Sequence, residues 1–264
     1  MYDSSSDWMG MVTMKEIISV QNAKVKQWRK LHHKKGRVKS NMFLMEGYHL
    51  VEEALKSDWK VHELIISEDI VQLPEWIKGE NIYQLRSHVF EHICQTENPQ
   101  GIAAVLETKW MKPVYGARNL LLLDRIQDPG NLGTIIRTAD ACGFDGIILG
   151  SGTVDVFNDK VIRSTQGSIF HIAIEQADLS EKMKELQKDG YSIWATALRN
   201  SQDYQQIKPT EKIALLLGNE GSGVQDTLLR SADEIARIPI YGKAESLNVS
   251  VAAGILMYHV KHIH

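Results

Sequence analysis

Two runs in this chain, Leu120 to Leu123 and Ile213 to Leu217, contain no polar side chain. A strand sends successive side chains to opposite faces, so a strand apolar throughout must be covered on both. Further strand candidates lie at Gly146 to Leu149, His171 to Ile174 and Tyr191 to Ala197. Between them fall segments with helical spacing: Asn131 to Cys142, Asp159 to Thr165, Leu179 to Lys188 and Val224 to Ser231. This alternation predicts an α/β fold with a parallel sheet from Asn119 onward.

A second α/β rhythm precedes it. Helices are expected at Gln21 to Leu31, Tyr48 to Ser57 and from Ser87, and strands at Phe43 to Gly47, Val61 to Ser67, Asn81 to Leu85 and Ile102 to Leu106. His32 to Asn41 reads as a flexible basic loop. Lys109 to Arg118, with Pro113 and Gly116, reads as the linker. The expected organisation is a flexible leader (1–13), a small α/β domain (14–110) and a parallel-sheet domain (111–264).

The hydrophobic fraction of 43% and charged fraction of 24% are those of a soluble globular protein. Cys94 and Cys142 match no metal spacing and read as reduced cytoplasmic thiols; no metal constellation is visible. No run approaches the roughly 18 apolar residues of a membrane span. The net charge of −3 argues against a generally basic surface. The charge is uneven, however: Lys24, Lys26, Arg29, Lys30, Lys34, Lys35, Arg37 and Lys39 follow one another without an acid between them. Such a patch is the footprint of a polyanion such as RNA.

In parallel sheets ligands bind beyond the carboxyl ends of strands. Three stretches there are unusual. The first is Asp124 to Gly133, leading to Arg137 on the next helix, where Asn131 and Arg137 are placed to meet one anion. Arg163 offers a second guanidinium for phosphate. The second stretch, Gly218-Asn219-Glu220-Gly221-Ser222-Gly223, suits close backbone approach by a ligand. It lacks the Gly-Lys-Ser/Thr of a P-loop, and no Gly-x-Gly-x-x-Gly or Gly-x-Ser-x-Gly occurs. The third runs from Ile238 through Pro239, Ile240 and Gly242 to Ser246-Leu247-Asn248-Val249-Ser250. There Ser246 is the expected N-cap of a helix apolar nearly all round, hence expected to be buried on every side.

Together these stretches resemble the three signature motifs of SpoU-type (TrmH-like) RNA ribose 2′-O-methyltransferases of the SPOUT class. The motifs are Asp128-Pro-Gly-Asn131-Leu-Gly133-Thr-Ile-Ile-Arg137-Thr-Ala139, Leu217 to Gly223, and Ile238-Pro239-Ile240 with Ser246 to Ser250. Lys160 to Phe170 resembles the family's intermediate segment, and Glu46-Gly47 with Pro99-Gln100-Gly101 its substrate-binding domain. The resemblance implies S-adenosylmethionine bound in a C-terminal trefoil knot, and a homodimer with sites completed near the interface. It implies a catalytic set of Asn131, Arg137, Glu220, Ser246 and Asn248. The implied cofactor cradle is Thr196, Ala197 and Leu198, then Gly218, Asn219 and Gly223, then Ile238, Ile240 and Leu247. RNA contacts are expected from Lys24, Arg29, Lys34, Lys35, Arg37 and Arg163, with ribosomal RNA favoured over transfer RNA. Two other readings remain open: a non-catalytic RNA-binding or ribosome-assembly factor, and an α/β enzyme for a small nucleotide-like substrate.

Overall fold

The computed structural model describes residues 14–77, 81–114 and 116–263; the leader expected at 1–13 lies outside them. The chain divides into two compact units between Glu107 and Thr108.

The first unit runs β1 (Met14–Ile17), α1 (Ala23–Lys30), α2 (Lys34–Ser40), β2 (Met42–Glu46), α3 (Tyr48–Lys56), β3 (Val61–Ser67), β4 (Ile82–Leu85), α4 (Ser87–Ile93) and β5 (Ile102–Glu107). Its sheet order is β1-β4-β3-β5-β2, with β5 antiparallel to both neighbours and the other pairs parallel. Trp28, Ile65, Phe90 and Val105 meet in the core under α1 and α4. The Glu46 and Gln100 motifs tie loops to this sheet. Glu46, buried, accepts hydrogen bonds from the Gln95 and Thr96 amides and the Thr96 hydroxyl, and the Gln100 side chain accepts from the Tyr48 amide at 2.9 Å.

The basic loop expected at His32 to Asn41 is instead helix α2. Gly36 had argued against a helix, since glycine is a poor helix former. A Cβ there would lie 1.9 Å from the Lys30 carbonyl, so the helix needs glycine to approach α1. Asn41 closes it in the left-handed region at φ 55°, a conformation asparagine tolerates.

The second unit runs β6 (Asn119–Leu123), α5 (Pro129–Cys142), β7 (Gly146–Leu149), α6 (Asp159–Thr165), β8 (Ile174–Gln176), α7 (Leu179–Lys188), β9 (Ser192–Thr196), β10 (Gln202–Asp203), β11 (Ile213–Leu217), α8 (Asp226–Leu229), β12 (Glu234–Arg237) and α9 (Val249–Ile263). Its sheet order is β10-β12-β9-β11-β6-β7-β8, and every pairing is parallel. All residues of β6 and β11 are buried, as two-sided cover requires. Leu120, Leu122 and Leu216 pack with Met183 of α7 and Leu228 of α8. The alternate residues Leu121 and Leu215 are equally buried and point to the other face, where α5 and α9 pack together against β7 and β11. The strand expected at His171 to Ile174 starts later, because Ser168–Phe170 forms a 3₁₀ turn and delays it to Ile174.

Two expectations for the last helix are corrected. It begins at Val249, and its capping side chain is Asn248 rather than Ser246: Asn248 Oδ1 accepts from the Ser250 amide at 2.9 Å. Ser246 is exposed in the preceding loop. The helix is also buried on one face only within the chain. Ala253, Leu256, Met257 and Val260 are enclosed, whereas Val251 is 50% and Tyr258 56% exposed. These two lie seven residues apart and so share a face.

Candidate active site at the carboxyl ends of the parallel strands

Because β9, β11 and β12 are parallel neighbours, the loops that follow them emerge at one edge. They enclose a cavity of about 680 Å³, within the few-hundred to roughly 1,000 Å³ usual for small-molecule sites. Thr196, Ala197 and Leu198 line it after β9; Gly218, Asn219 and Gly223 after β11; Ile238 and Ile240 after β12. Leu247 closes it from the approach to α9. Its wall combines apolar side chains with the carboxylates of Glu220, Asp226 and Glu245 and the guanidinium groups of Arg199 and Arg237. Gly218 is required by close approach, since a Cβ would lie 2.1 Å from the Val224 amide nitrogen. The loop closes on itself through paired backbone hydrogen bonds between Asn219 and Gly223.

At the rim the three motif loops join through side chains. Asp128 caps α5 by accepting from the Asn131 amide at 2.8 Å, with Pro129 in the first turn, where a missing N–H costs nothing. This fixes Asn131 at the start of the helix. Asn131 Nδ2 then donates to Glu220 Oε1 at 3.1 Å, and Asn248 Nδ2 donates to Asn131 Oδ1 at 3.0 Å. The direction of this chain is set from the helix end. The Ser250 amide can only donate to Asn248 Oδ1, which leaves Asn248 Nδ2 to donate to Asn131 Oδ1 and Asn131 Nδ2 to donate to Glu220. Both intervening amides therefore have one permitted orientation. Glu220 also lies 3.4 Å from the Asp128 amide and 3.5 Å from that of Gln127, at the long limit of hydrogen bonding.

The other expected residues divide. Ser246 lines the cavity but makes no hydrogen bond to a described residue. Arg137 is exposed on α5 and stands outside the Glu220–Asn131–Asn248 chain, with no hydrogen bond or ion pair among the described residues. Six residues along a helix amount to about 600°, which leaves it on a different face from Asn131. The expected meeting of the two side chains is therefore not formed within the single chain. Arg163 is paired with Asp159 at 2.9 Å across one turn of α6.

The basic run is also sorted by the fold. Arg37 is a correction: it is 5% exposed, and its Nη1 donates to the Leu31 and His32 carbonyls at 2.8 and 2.9 Å. It satisfies the end of α1 and is not available to RNA. Lys24 forms an ion pair with Glu63 on β3, an acid remote in sequence. Burial works against the charge on Lys24, but the bond and charge of Glu63 outweigh it and hold its pKa above the ordinary lysine value. Lys26, Arg29, Lys30, Lys34, Lys35 and Lys39 remain exposed on α1 and α2, with Arg29 Nη1 3.0 Å from His92 Nε2. The first unusual stretch begins at Asp124 and Arg125, but sequence reading gives neither of them, nor Gln225, a role; all three brace the loops from beneath. Only the position of Asp124, directly after an apolar strand, hinted at it.

Residues 118–258 match the SpoU rRNA Methylase family, and residues 22–104 match the MRM3-like substrate binding domain. The chain belongs to the SpoU rRNA methylase family. It is 49% identical over 249 residues to the 23S rRNA (guanosine(2553)-2′-O)-methyltransferase RlmP of Bacillus subtilis (strain 168), covering 94% of this chain and 100% of that protein. The AdoMet-bound rRNA methyltransferase of Sinorhizobium meliloti superposes with a TM-score of 0.85 at 36% identity, over 94% of this chain and 98% of that one. The AdoMet complex of the SpoU methyltransferase AviRb of Streptomyces viridochromogenes gives 0.83 at 26% identity, over 92% and 98%. Among the described residues, no helix is long and apolar enough to cross a membrane.

Proposed function

We propose that this protein methylates a ribose 2′-hydroxyl in 23S ribosomal RNA, using S-adenosylmethionine, at the position equivalent to the guanosine in the name of the Bacillus subtilis relative. The observation that carries this is the Glu220–Asn131–Asn248 chain at the cavity rim, which brings all three family motifs into one site. The cavity suits the cofactor chemically. Ile238, Ile240 and Leu247 offer an apolar wall for a flat heterocycle. A lining that carries both carboxylates (Glu220, Asp226, Glu245) and guanidinium groups (Arg199, Arg237) suits a ligand bearing both charges, as an amino-acid moiety does. When bound, the cofactor supplies a methyl group on a cationic sulfur.

Methylation of a 2′-hydroxyl would exchange a carbon–sulfur bond for a carbon–oxygen bond and pass the hydroxyl proton to solvent water. Holding the reacting atoms in line can contribute ~7–11 kcal/mol. The residues are suited to that task. Asn131 and Asn248 are fixed in orientation by their neighbours, so their positions are set before RNA arrives. A guanidinium is a poor general base, so proton abstraction is not the role assigned to Arg137. Without a partner among the described residues, it instead clamps the phosphate or hydroxyl of the target nucleotide and favours loss of the hydroxyl proton. The exposed cations of α1 and α2 hold the flanking RNA backbone.

The homodimer, the trefoil knot and the cytoplasmic location belong to the same proposal. The exposed face of Val251 and Tyr258 on α9 is the surface a second copy would cover. Mapping 2′-O-methyl marks in 23S ribosomal RNA with and without the protein tests the activity: one mark should disappear in its absence. An unchanged pattern, together with no transfer of labelled methyl to bulk ribosomal RNA, would sink the reading. The non-catalytic assembly factor finds no support in the relatives.

A further inference from the structure

The Gly218 to Gly223 loop carries Glu220 and walls the cavity; the Asn219–Gly223 bridge fixes its internal shape, but its height above the sheet depends on what lies beneath it. Asp124, immediately beyond β6, lies beneath it with only 1% of its surface exposed. Its Oδ2 accepts from the Gln225 amide at 2.9 Å, and its Oδ1 accepts from Gln225 Nε2 at 2.7 Å and Arg125 Nε at 3.2 Å. Arg125 has a φ of 54°, which for a non-glycine residue costs roughly 1 kcal/mol or more. In that conformation its carbonyl accepts from Asn219 Nδ2 at 3.0 Å, and its Nη2 lies 3.5 Å from the Gly223 carbonyl. One buried carboxylate thus holds the start of the loop through Arg125 and Asn219, and the end through Gln225.

A carboxylate is an expensive choice for a spacer, because burying charge is unfavourable unless it is fully hydrogen-bonded. Here it accepts three bonds and stabilises a strained neighbour. We infer that Asp124 is a positioning residue for methyl transfer: through Arg125 and Gln225 it sets the height of the loop that forms the cofactor wall and presents Glu220 to Asn131. This rests on the proposed function.

The test compares Asp124→Asn with wild type. The readouts are S-adenosylmethionine affinity by calorimetry, single-turnover methyl transfer, RNA affinity and melting temperature. Asp124→Asn should weaken cofactor binding by on the order of tenfold, as expected for one missing charge-assisted hydrogen bond. RNA affinity should hold. In a double-mutant cycle Glu220→Gln should cost much less on the Asp124→Asn background than alone, because the carboxylate is already misplaced. A folded Asp124→Asn enzyme with wild-type cofactor affinity and turnover would overturn the inference, as would additive losses in the cycle. If Asp124→Asn does not fold, Gln225→Met carries the test. Gln225 is exposed and its side chain supplies one of the three bonds, the backbone amide keeping its own, so a smaller loss in the same direction is expected, and no loss overturns the inference. A wild-type protein that fails to bind cofactor would sink the proposed function rather than this assignment.

Discussion

The basic run from Lys24 to Lys39 and the three motif loops both carry clustered polar residues, but the fold treats them oppositely. In the run, neighbours in sequence are separated in role. Arg37 turns inward to carbonyls, Lys24 of α1 pairs with Glu63 of β3, and the remaining lysines face solvent. In the loops, residues nearly 120 positions apart are brought within one hydrogen bond, as Asn131 and Asn248 are. The difference follows from geometry. A helix distributes successive side chains around its axis every 100° or so, so a charge run cannot present all its members to one partner. A parallel sheet gathers the carboxyl ends of its strands at one edge, so distant loops there meet.

If gathering at that edge produces the chemistry, the largest effect should come from a residue held ready but not used internally. Arg137→Ala is expected to lower single-turnover methyl transfer by roughly 10²–10³-fold, the usual loss for a positioned charge donor. Cofactor affinity should be unchanged. Arg137→Lys should recover little, because an ammonium cannot reproduce the planar fork. Near-normal turnover in Arg137→Lys would break the clamp assignment.

The sorting of the basic run predicts smaller effects of two distinct kinds. Arg37→Ala should destabilise the protein by about 1–3 kcal/mol, the cost of leaving buried carbonyls unpaired. Denaturant titration would read it as a lower midpoint. The Lys34→Ala, Lys35→Ala pair should leave that midpoint alone and weaken RNA binding. It should also flatten the salt dependence by about 0.7 in the log–log slope for each single-stranded phosphate no longer neutralised. Equal effects of the two changes on stability and RNA affinity would erase the distinction. On α9, Val251→Glu with Tyr258→Glu should shift the protein from dimer to monomer in light scattering. A wild type already monomeric would remove that part of the proposal.

What the sequence revealed follows the same division. The parallel sheet was legible because all-apolar β6 and β11 admit few environments. The cavity wall was legible because the motifs lie directly after strands. The role of Arg37 was not, since composition does not say which arginine of a run turns inward. Helix α2 was hidden by a glycine whose purpose, close approach to the Lys30 carbonyl, exists only in three dimensions. The cap at Asn248 rather than Ser246 was a choice between two good capping residues two positions apart, settled in the structure by the Ser250 amide, which donates to Asn248 Oδ1. The Asp124 brace was missed because its partners Arg125 and Gln225 belong to no motif.

The smallest expected effect concerns pH, and it probes both units. Burial holds the pKa of His32, in the first unit, and of His259, on α9, below the ordinary 6.5. Near His32 the Arg29 and His33 charges act in the same direction as burial, while Glu46 and a backbone bond oppose it; near His259, His262 adds to the lowering. An imidazole kept neutral in the fold binds fewer protons than in the unfolded chain. Its contribution to stability is therefore fully present above pH 6.5 and is lost as pH falls through the lower folded value. Peptide-resolved hydrogen exchange, corrected for intrinsic rates, should show protection around His32 and around His259 declining as pH falls below the ordinary histidine value of 6.5. His32→Leu should remove the decline around His32 only, and His259→Leu the decline around His259 only. A slope unchanged in both variants would mean that carboxylates, not these two imidazoles, set the acid limit of the fold.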